Sequence, residues 1–224
     1  MREELLIAVP IFNEAEYVLE MIGKLRKTGF SFVLIDNESD DGSHEIALTN
    51  GAEILQRGNH GTGYGAAIQK ALDLANARNI PLLGILDCDS TYDPKEFELL
   101  IEHIGSLDLV VGARAMNDIS PFRRAGNLIH STLASLLFGQ VVKDINSGMR
   151  VFRVSKFYGK VKSNDMGFVA ETTCLALRNG WRHSEVPISY VGNRSGSKLR
   201  PISDGWVILS TIFRVWFGGT GTHS

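Results

Sequence analysis

Short apolar runs alternate with amphipathic segments through the first half of the chain, and few architectures accept that pattern. Residues 5–9 form a continuous apolar run stopped by Pro10. Residues 14–28 follow, with Val18, Met21, Ile22 and Leu25 at i, i+3, i+4 and i+7, one face of a helix. A second run covers 32–36, and after a polar turn at 39–42 come a short helix to about Asn50 and a brief strand at 52–56. The glycine-rich stretch 61–65 opens a helix in which Ile68, Ala71, Leu72 and Ala75 keep the helical spacing. Further runs at 82–87 and 107–112 read as strands. Asp93-Pro94-Lys95-Glu96 predicts a helix start, with Asp93 as N-cap, Pro94 at the first helical position and Glu96 completing a capping box. Strands that are apolar on every residue need cover on both faces. Joined by helices, they predict βαβ crossovers and a parallel sheet.

The second half is less regular: a long helix at 122–139, a strand at 150–153, a helix at 168–179, a strand at 184–190 and a helix at 203–217. No repeat or linker interrupts it, and 224 residues suit one domain. The expected class is a single-domain α/β fold with a Rossmann-like, mostly parallel central sheet flanked by helices. An apolar fraction of 44% excludes a disordered chain. A formal charge of −2 gives no sign of a nucleic-acid partner. Cys88 and Cys174 make neither a disulfide scaffold nor a four-cysteine zinc site, and they suit a reducing cytosol. With no signal-peptide pattern and no run of ~18 apolar residues, a cytoplasmic protein is expected.

In open parallel sheets, ligands bind beyond the carboxyl ends of the strands. Those ends carry Pro10-Ile11-Phe12-Asn13-Glu14, residues 36–43, Asp87-Cys88-Asp89 and Gly112-Ala113-Arg114. Asn13, Glu14 and residues 39–42 also make ordinary helix starts and turns. Asp87 and Asp89 are more telling. In an extended segment, residues i and i+2 project to the same side. Two carboxylates that close repel unless a proton or cation neutralises them. Mg²⁺ and Mn²⁺ take oxygen ligands of this kind, so Asp87 and Asp89 are read as a divalent-cation site.

The motifs then continue in order: Ile35-Asp36-Asn37-Glu38-Ser39-Asp40-Asp41-Gly42-Ser43, Gly63-Tyr64-Gly65-Ala66-Ala67, Asp87-Cys88-Asp89 with Asp93-Pro94, and Gly112-Ala113-Arg114. Asp144 with Ser147-Gly148-Met149-Arg150, Glu185-Val186-Pro187 and Arg194-Ser195-Gly196-Ser197-Lys198-Leu199 complete the series. Over about residues 5–200 the set resembles the family 2 glycosyltransferases, inverting nucleotide-sugar enzymes of the GT-A fold. Within them it is most similar to the dolichyl- or polyprenyl-phosphate mannose and glucose synthases. Phe12 stands where that family usually has tyrosine, and Tyr64 where it has lysine.

The resemblance implies a nucleotide-diphosphate sugar donor, with Pro10, Phe12, Glu14 and Asp36 around its base and ribose and Gly63 beside it. It places Mg²⁺ or Mn²⁺ on Asp87 and Asp89, and phosphates of donor or acceptor on Arg114, Arg194 and Lys198. The acceptor would be a lipid phosphate or a glycan of the cell envelope. Transfer to a hydroxyl needs a general base, for which Asp144 and Glu171 are candidates, whereas a lipid phosphate oxygen is already anionic. Both residues fit equally a helix cap or a salt bridge positioning Arg150. Residues 1–115 would form the nucleotide-sugar-binding half, 116–200 the acceptor side, and 201–224 a C-terminal apolar helix and tail.

That helix carries Trp206, Val207, Ile208, Leu209, Ile212, Phe213, Val215, Trp216 and Phe217. It is too short to span a bilayer, and suits either core packing or a peripheral contact at the cytoplasmic membrane face. Arg123-Arg124 ahead of Leu128, Leu133, Leu136 and Leu137 suggests a second amphipathic contact. Two alternatives stand beside the transferase. Gly61-Thr62-Gly63-Tyr64-Gly65-Ala66 satisfies G-x-G-x-x-A with Asp87 about twenty residues on, as in dinucleotide-dependent oxidoreductases. A non-catalytic nucleotide-sugar-binding relative is the other.

Overall fold

A computed structural model describes residues 2–56, 61–192 and 201–218. The apolar runs become strands β1 (Leu5–Ile11), β2 (Ser31–Asp36), β3 (Ile54–Gln56), β4 (Leu82–Ile85) and β5 (Leu109–Arg114). The segments between them become α1 (Ala15–Thr28), α2 (Ser43–Thr49), α3 (Tyr64–Ala77) and α4 (Glu96–Ile104). The second half adds α5 (Pro121–Phe138), β6 (Arg150–Arg153), α6 (Val154–Phe157), α7 (Gly167–Arg178), β7 (His183–Ile188) and α8 (Pro201–Phe217).

The strands form one sheet in the order β3-β2-β1-β4-β6-β5-β7. All pairs are parallel except those of β6, which runs antiparallel between β4 and β5. The cause lies in the route of the chain. After β5 it stays at the carboxyl ends through α5 and enters β6 from there, with Arg150 opposite both Ile85 and Val111. Residues 147–149 are thereby delivered to the ends of β4 and β5.

Side chains of each strand divide between two cores. Leu5, Ile7, Val9 and Ile11 pack with the buried stripe of α1 and with Phe97, Leu100, Ile101 and Ile104 of α4. Leu6 and Ala8 face the other way, onto Ala67, Ile68, Ala71 and Leu72 of α3 and Phe168 and Ala176 of α7. Period-2 strands and period-3.6 helices thus supply complementary faces, and the uniformly apolar runs have the double cover they require. A third cluster joins Ala134 of α5, Ala170, Cys174 and Leu177 of α7, and Ile208, Ile212 and Val215 of α8.

Two local expectations are corrected. The 82–87 run ends as a strand at Ile85, although Leu86 N–H still donates to Ala8 O (3.0 Å), so Asp87 stands just past the ladder. The capping box at Asp93 does not form. Asp93 accepts instead from Lys95 N–H (3.0 Å), while Glu96 Oε1 accepts from Ser189 N–H (3.1 Å), 93 residues away. A tertiary partner outcompetes the local one there.

Candidate active site

The loops after β1 and β2 are tied together before they present anything to a ligand. Asn13 has φ +53°, a left-handed conformation rarely adopted by residues other than glycine. Ser39 Oγ accepts from Asn13 N–H (3.0 Å), Ser43 Oγ from Glu14 N–H (2.8 Å) and Asp41 Oδ2 from Ala15 N–H (2.8 Å). Asn13 Oδ1 accepts in return from Asp40 N–H (2.9 Å). The first amides of α1 are therefore capped from the neighbouring loop. Asp36 lies inside this knot: Oδ1 accepts from Ser39 N–H and Oγ–H, and Oδ2 meets His44 Nδ1 at 3.0 Å.

Beyond the strand ends lies a cavity of about 730 Å³. Pro10, Phe12, Glu14 and Asn37 line one part, Gly63 and Tyr64 of the glycine turn another, and Asp87, Asp89 and Arg114 the strand ends. The remaining wall comes from α5, α7 and α8. Asp87 Oδ1 accepts from Tyr64 Oη–H at 3.0 Å. Gly148 lies against the same carboxylate, where a Cβ would run into Oδ2. A side chain at residue 148 would therefore push the Asp87 carboxylate out of its place. Asp89 Oδ1 accepts from Thr91 N–H (3.0 Å) and Oγ1–H (2.5 Å), a turn that puts Ser90 at φ +58°. Gly63 (φ +120°) donates its N–H to Asn37 Oδ1 (3.3 Å). A Cβ at residue 63 would stand 2.5 Å from Asn164 O.

Burial, reinforced by the Asp89 carboxylate, pushes the Asp87 carboxyl up to about 7, against the opposing pull of Tyr64 and Arg114. A divalent ion bound there would favour the ionised form of both carboxylates. No group of three or more His, Cys, Asp or Glu side chains converges among the described residues. The residues therefore fit a cation held by two protein carboxylates, with its other ligands drawn from a bound diphosphate and water.

Arg114 closes β5 at the cavity. Its Nε and Nη2 donate to Asp144 Oδ2 and Oδ1, both at 2.8 Å, and its backbone N–H reaches Oδ2 at 3.0 Å. The guanidinium also lies 5.2 Å from the centre of the Tyr190 ring, which packs edge-on against Tyr92. A bidentate carboxylate and an aromatic face together leave this cation one orientation.

The profile of "Glycosyl transferase family 2" matches residues 6–159. The chain belongs to that family. Among relatives, "Glycosyltransferase AglJ" of Haloferax volcanii is 30% identical over 97% of this chain and 76% of its own length. The "Dolichyl-phosphate hexose transferase" of the same organism is 29% identical over 95% of this chain and 94% of its own. Among solved structures, glucosyl-3-phosphoglycerate synthase from Mycobacterium tuberculosis, crystallised with Mn²⁺, UDP and glucosyl-3-phosphoglycerate, superposes with a TM-score of 0.79. That match covers 94% of this chain and 79% of the other at 14% identity, a likeness of fold.

As a family 2 glycosyltransferase the chain is an enzyme of sugar transfer, which replaces the dinucleotide-oxidoreductase alternative. Of the residues singled out in the sequence, Pro10, Phe12, Glu14, Gly63, Asp87, Asp89 and Arg114 line one cavity. Asp36, Asp144 and Glu171 do not. Asp144 is fully buried and pairs with Arg114, not Arg150. Glu171 accepts from Lys162 and Ser163 N–H and from Arg214. Arg150 is fully buried, forms no ion pair with a carboxylate among the described residues, and donates to Val169 O, Thr172 Oγ1 and Ser147 O. Arg194 and Lys198 lie outside the described residues.

Sequence reasoning missed the hydroxyl of Tyr64 as the partner of Asp87, along with Tyr92, His130, Asn146, Asp165 and Asp204 in the cavity wall. Tyr64 had a signal, an acid-facing position in the glycine turn, which its departure from lysine obscured. The others stand in segments whose spacing carries no sign of a shared cavity.

Proposed function

We propose that this enzyme moves a hexosyl group, with inversion, from a nucleotide-diphosphate sugar to a polyprenyl or dolichyl phosphate, using Mg²⁺ or Mn²⁺. The observation that carries the reading is the meeting of Asp87, Asp89 and Arg114 in one cavity whose other wall is built by α5 and α8. Pro10, Phe12 and Glu14 would hold the base and ribose beside Gly63, with Asp36 bracing the neighbouring loop. Asp87 and Asp89 would hold the cation, which when bound supplies positive charge to the departing diphosphate. Arg114, held rigid by Asp144, would bind a phosphate as a fixed fork; Arg194 and Lys198 are proposed as further phosphate contacts.

An acceptor phosphate oxygen would attack the anomeric carbon while the bond to the diphosphate breaks, and the nucleoside diphosphate leaves with the electron pair. That oxygen needs no deprotonation. The likeness to a dolichyl-phosphate hexose transferase along 94% of its length supports such an acceptor. We assign residues 1–115 to the donor side, 116–200 to the acceptor side and 201–224 to an apolar helix and tail at the cytoplasmic membrane face. No described helix is long and apolar enough to cross a membrane.

The test is a melting-temperature screen of UDP, GDP and dTDP with and without Mn²⁺. A ligand at about 100 times its Kd adds ~2.7 kcal/mol to apparent stability. One nucleotide is expected to stabilise the protein in a Mn²⁺-dependent way, and Asp89→Ala to abolish that dependence. A shift indifferent to metal, or one unchanged in Asp89→Ala, would contradict the assignment.

A further inference from the structure

One ion pair, between the buried Glu171 and the solvent-facing Arg214, links α8 to the glycine turn, and the proposed transfer makes no use of it. Glu171 is 1% exposed. Its Oε2 accepts from the backbone N–H of Ser163 (2.7 Å) and Lys162 (3.1 Å), and its Oε1 from Arg214 Nη1 (3.0 Å). Arg214 Nη2 donates to Ser163 Oγ (2.8 Å), closing a ring around residue 163. From there the contacts run on to α3. Gln69 Nε2 donates to Ser163 O (3.0 Å) and Asn164 Oδ1 (2.6 Å), and Ala66 N–H donates to Asn164 O (2.9 Å). The same two carbonyls lie where Cβ atoms on Gly65 and Gly63 would stand. The turn so covered carries Tyr64, whose hydroxyl holds Asp87.

A carboxylate this deeply buried is costly unless fully paired, and Ile208, Ile212 and Val215 already pack α8 against α7. What the ion pair adds is a defined position for residues 162–164. Neither Glu171 nor Arg214 lines the cavity, so neither is placed to touch a substrate. We propose that Arg214 is a positioning residue: through Glu171 and Ser163 it couples the seating of α8 to the glycine turn and to the orientation of Asp87. Tight donor binding would then require a docked α8. The inference rests on reading the Asp87–Asp89 cavity as the donor site.

Calorimetric titration with Mn²⁺ and UDP or GDP, whichever stabilises the wild type, tests it in the full chain. Loss of outer partners of this kind commonly weakens binding on the order of 10-fold. Arg214→Gln is expected to raise Kd by about that factor and Arg214→Lys, which retains the charge, to recover most of the loss. Adding Glu171→Gln to Arg214→Gln should weaken binding no further, because both act on one link. Ser163→Ala removes only the hydroxyl end of the ring and gives a second reading should Arg214→Gln fail to fold. Its expected effect is about threefold, the scale of one hydrogen bond. Unchanged Kd in these variants, even with a lowered melting temperature, would reduce the pair to a structural brace and overturn the coupling. If the wild type shows no Mn²⁺-dependent nucleotide binding, the donor-site reading itself falls.

Discussion

Asp87 shows how much a single side chain owes to its surroundings. Its ordinary value is 3.8, and burial with Asp89 alongside carries it to about 7. In the free protein the folded state therefore keeps a proton that the unfolded chain has released. The stability it contributes is full below pH ~3.8 and lost as pH rises through 7. Cation binding has the opposite sign, since it needs the ionised form. The Mn²⁺-dependent rise in melting temperature should grow between pH 6 and pH 8 and then level off. Below the pKa, each pH unit costs about tenfold in apparent affinity, or 1.4 kcal/mol. A pH series of thermal melts with and without Mn²⁺ and nucleotide checks this, and a response flat across that window would contradict it. The nearness of Asp87 to Asp89 was legible in the sequence because two residues apart is a local relation, although the structure makes it in a turn past β4 and not on a strand. The fates of Asp144 and Glu171 were not, because their partners Arg114 and Arg214 lie 30 and 43 residues away.

At the scale of elements, α8 resolves an ambiguity its sequence left open. Ile208, Thr211, Ile212 and Val215 are buried, whereas Ile202, Trp206, Phe213, Trp216 and Phe217 are exposed. The helix thus satisfies core packing and still presents an apolar stripe. Phe122, Ile129 and Leu136 form a similar stripe on α5, and Trp216 Nε1 donates to Leu137 O (3.0 Å), which ties the two helices together. Phe122 also lines the cavity, so the apolar surface reaches its rim. Aromatic residues with Arg123 and Arg124 nearby suit an interface with anionic lipid. The protein is expected to float with anionic liposomes, and Trp206→Asp/Phe213→Asp to lose most of that association. Full burial of one such side chain is worth roughly 1.5–3 kcal/mol, so two together change partitioning by more than tenfold. Unchanged flotation of the double variant would remove α8 from the membrane contact.

For the molecule as a whole, β6 is the seam. It is the strand of the second half inserted between β4 and β5, with Phe152 fully buried opposite Leu83 and Leu109. The two halves therefore share one sheet and both of the cores that flank it. The three tryptophans, Trp181, Trp206 and Trp216, all lie beyond residue 180. Tryptophan fluorescence accordingly reports the entry to β7 and α8, while far-UV circular dichroism reports the whole sheet. The two should trace a single urea transition. Phe152→Ala is expected to move both together, at a cost of about 3–5 kcal/mol. Separate transitions would show that the halves fold independently.

The sequence by itself determined the alternation of strands and helices, the parallel sheet they demand, and the rim on which Pro10, Glu14, Asp87 and Arg114 stand. These follow from short-range periodicity and from the rule that parallel strands end at a common edge. Only the tertiary structure decided that Asp36 braces a loop, that Asp144 aims Arg114, and that Glu171 serves α8. Each of those carboxylates is buried, and a buried charge takes whatever partner the fold brings within reach, a choice that spacing along the chain does not record.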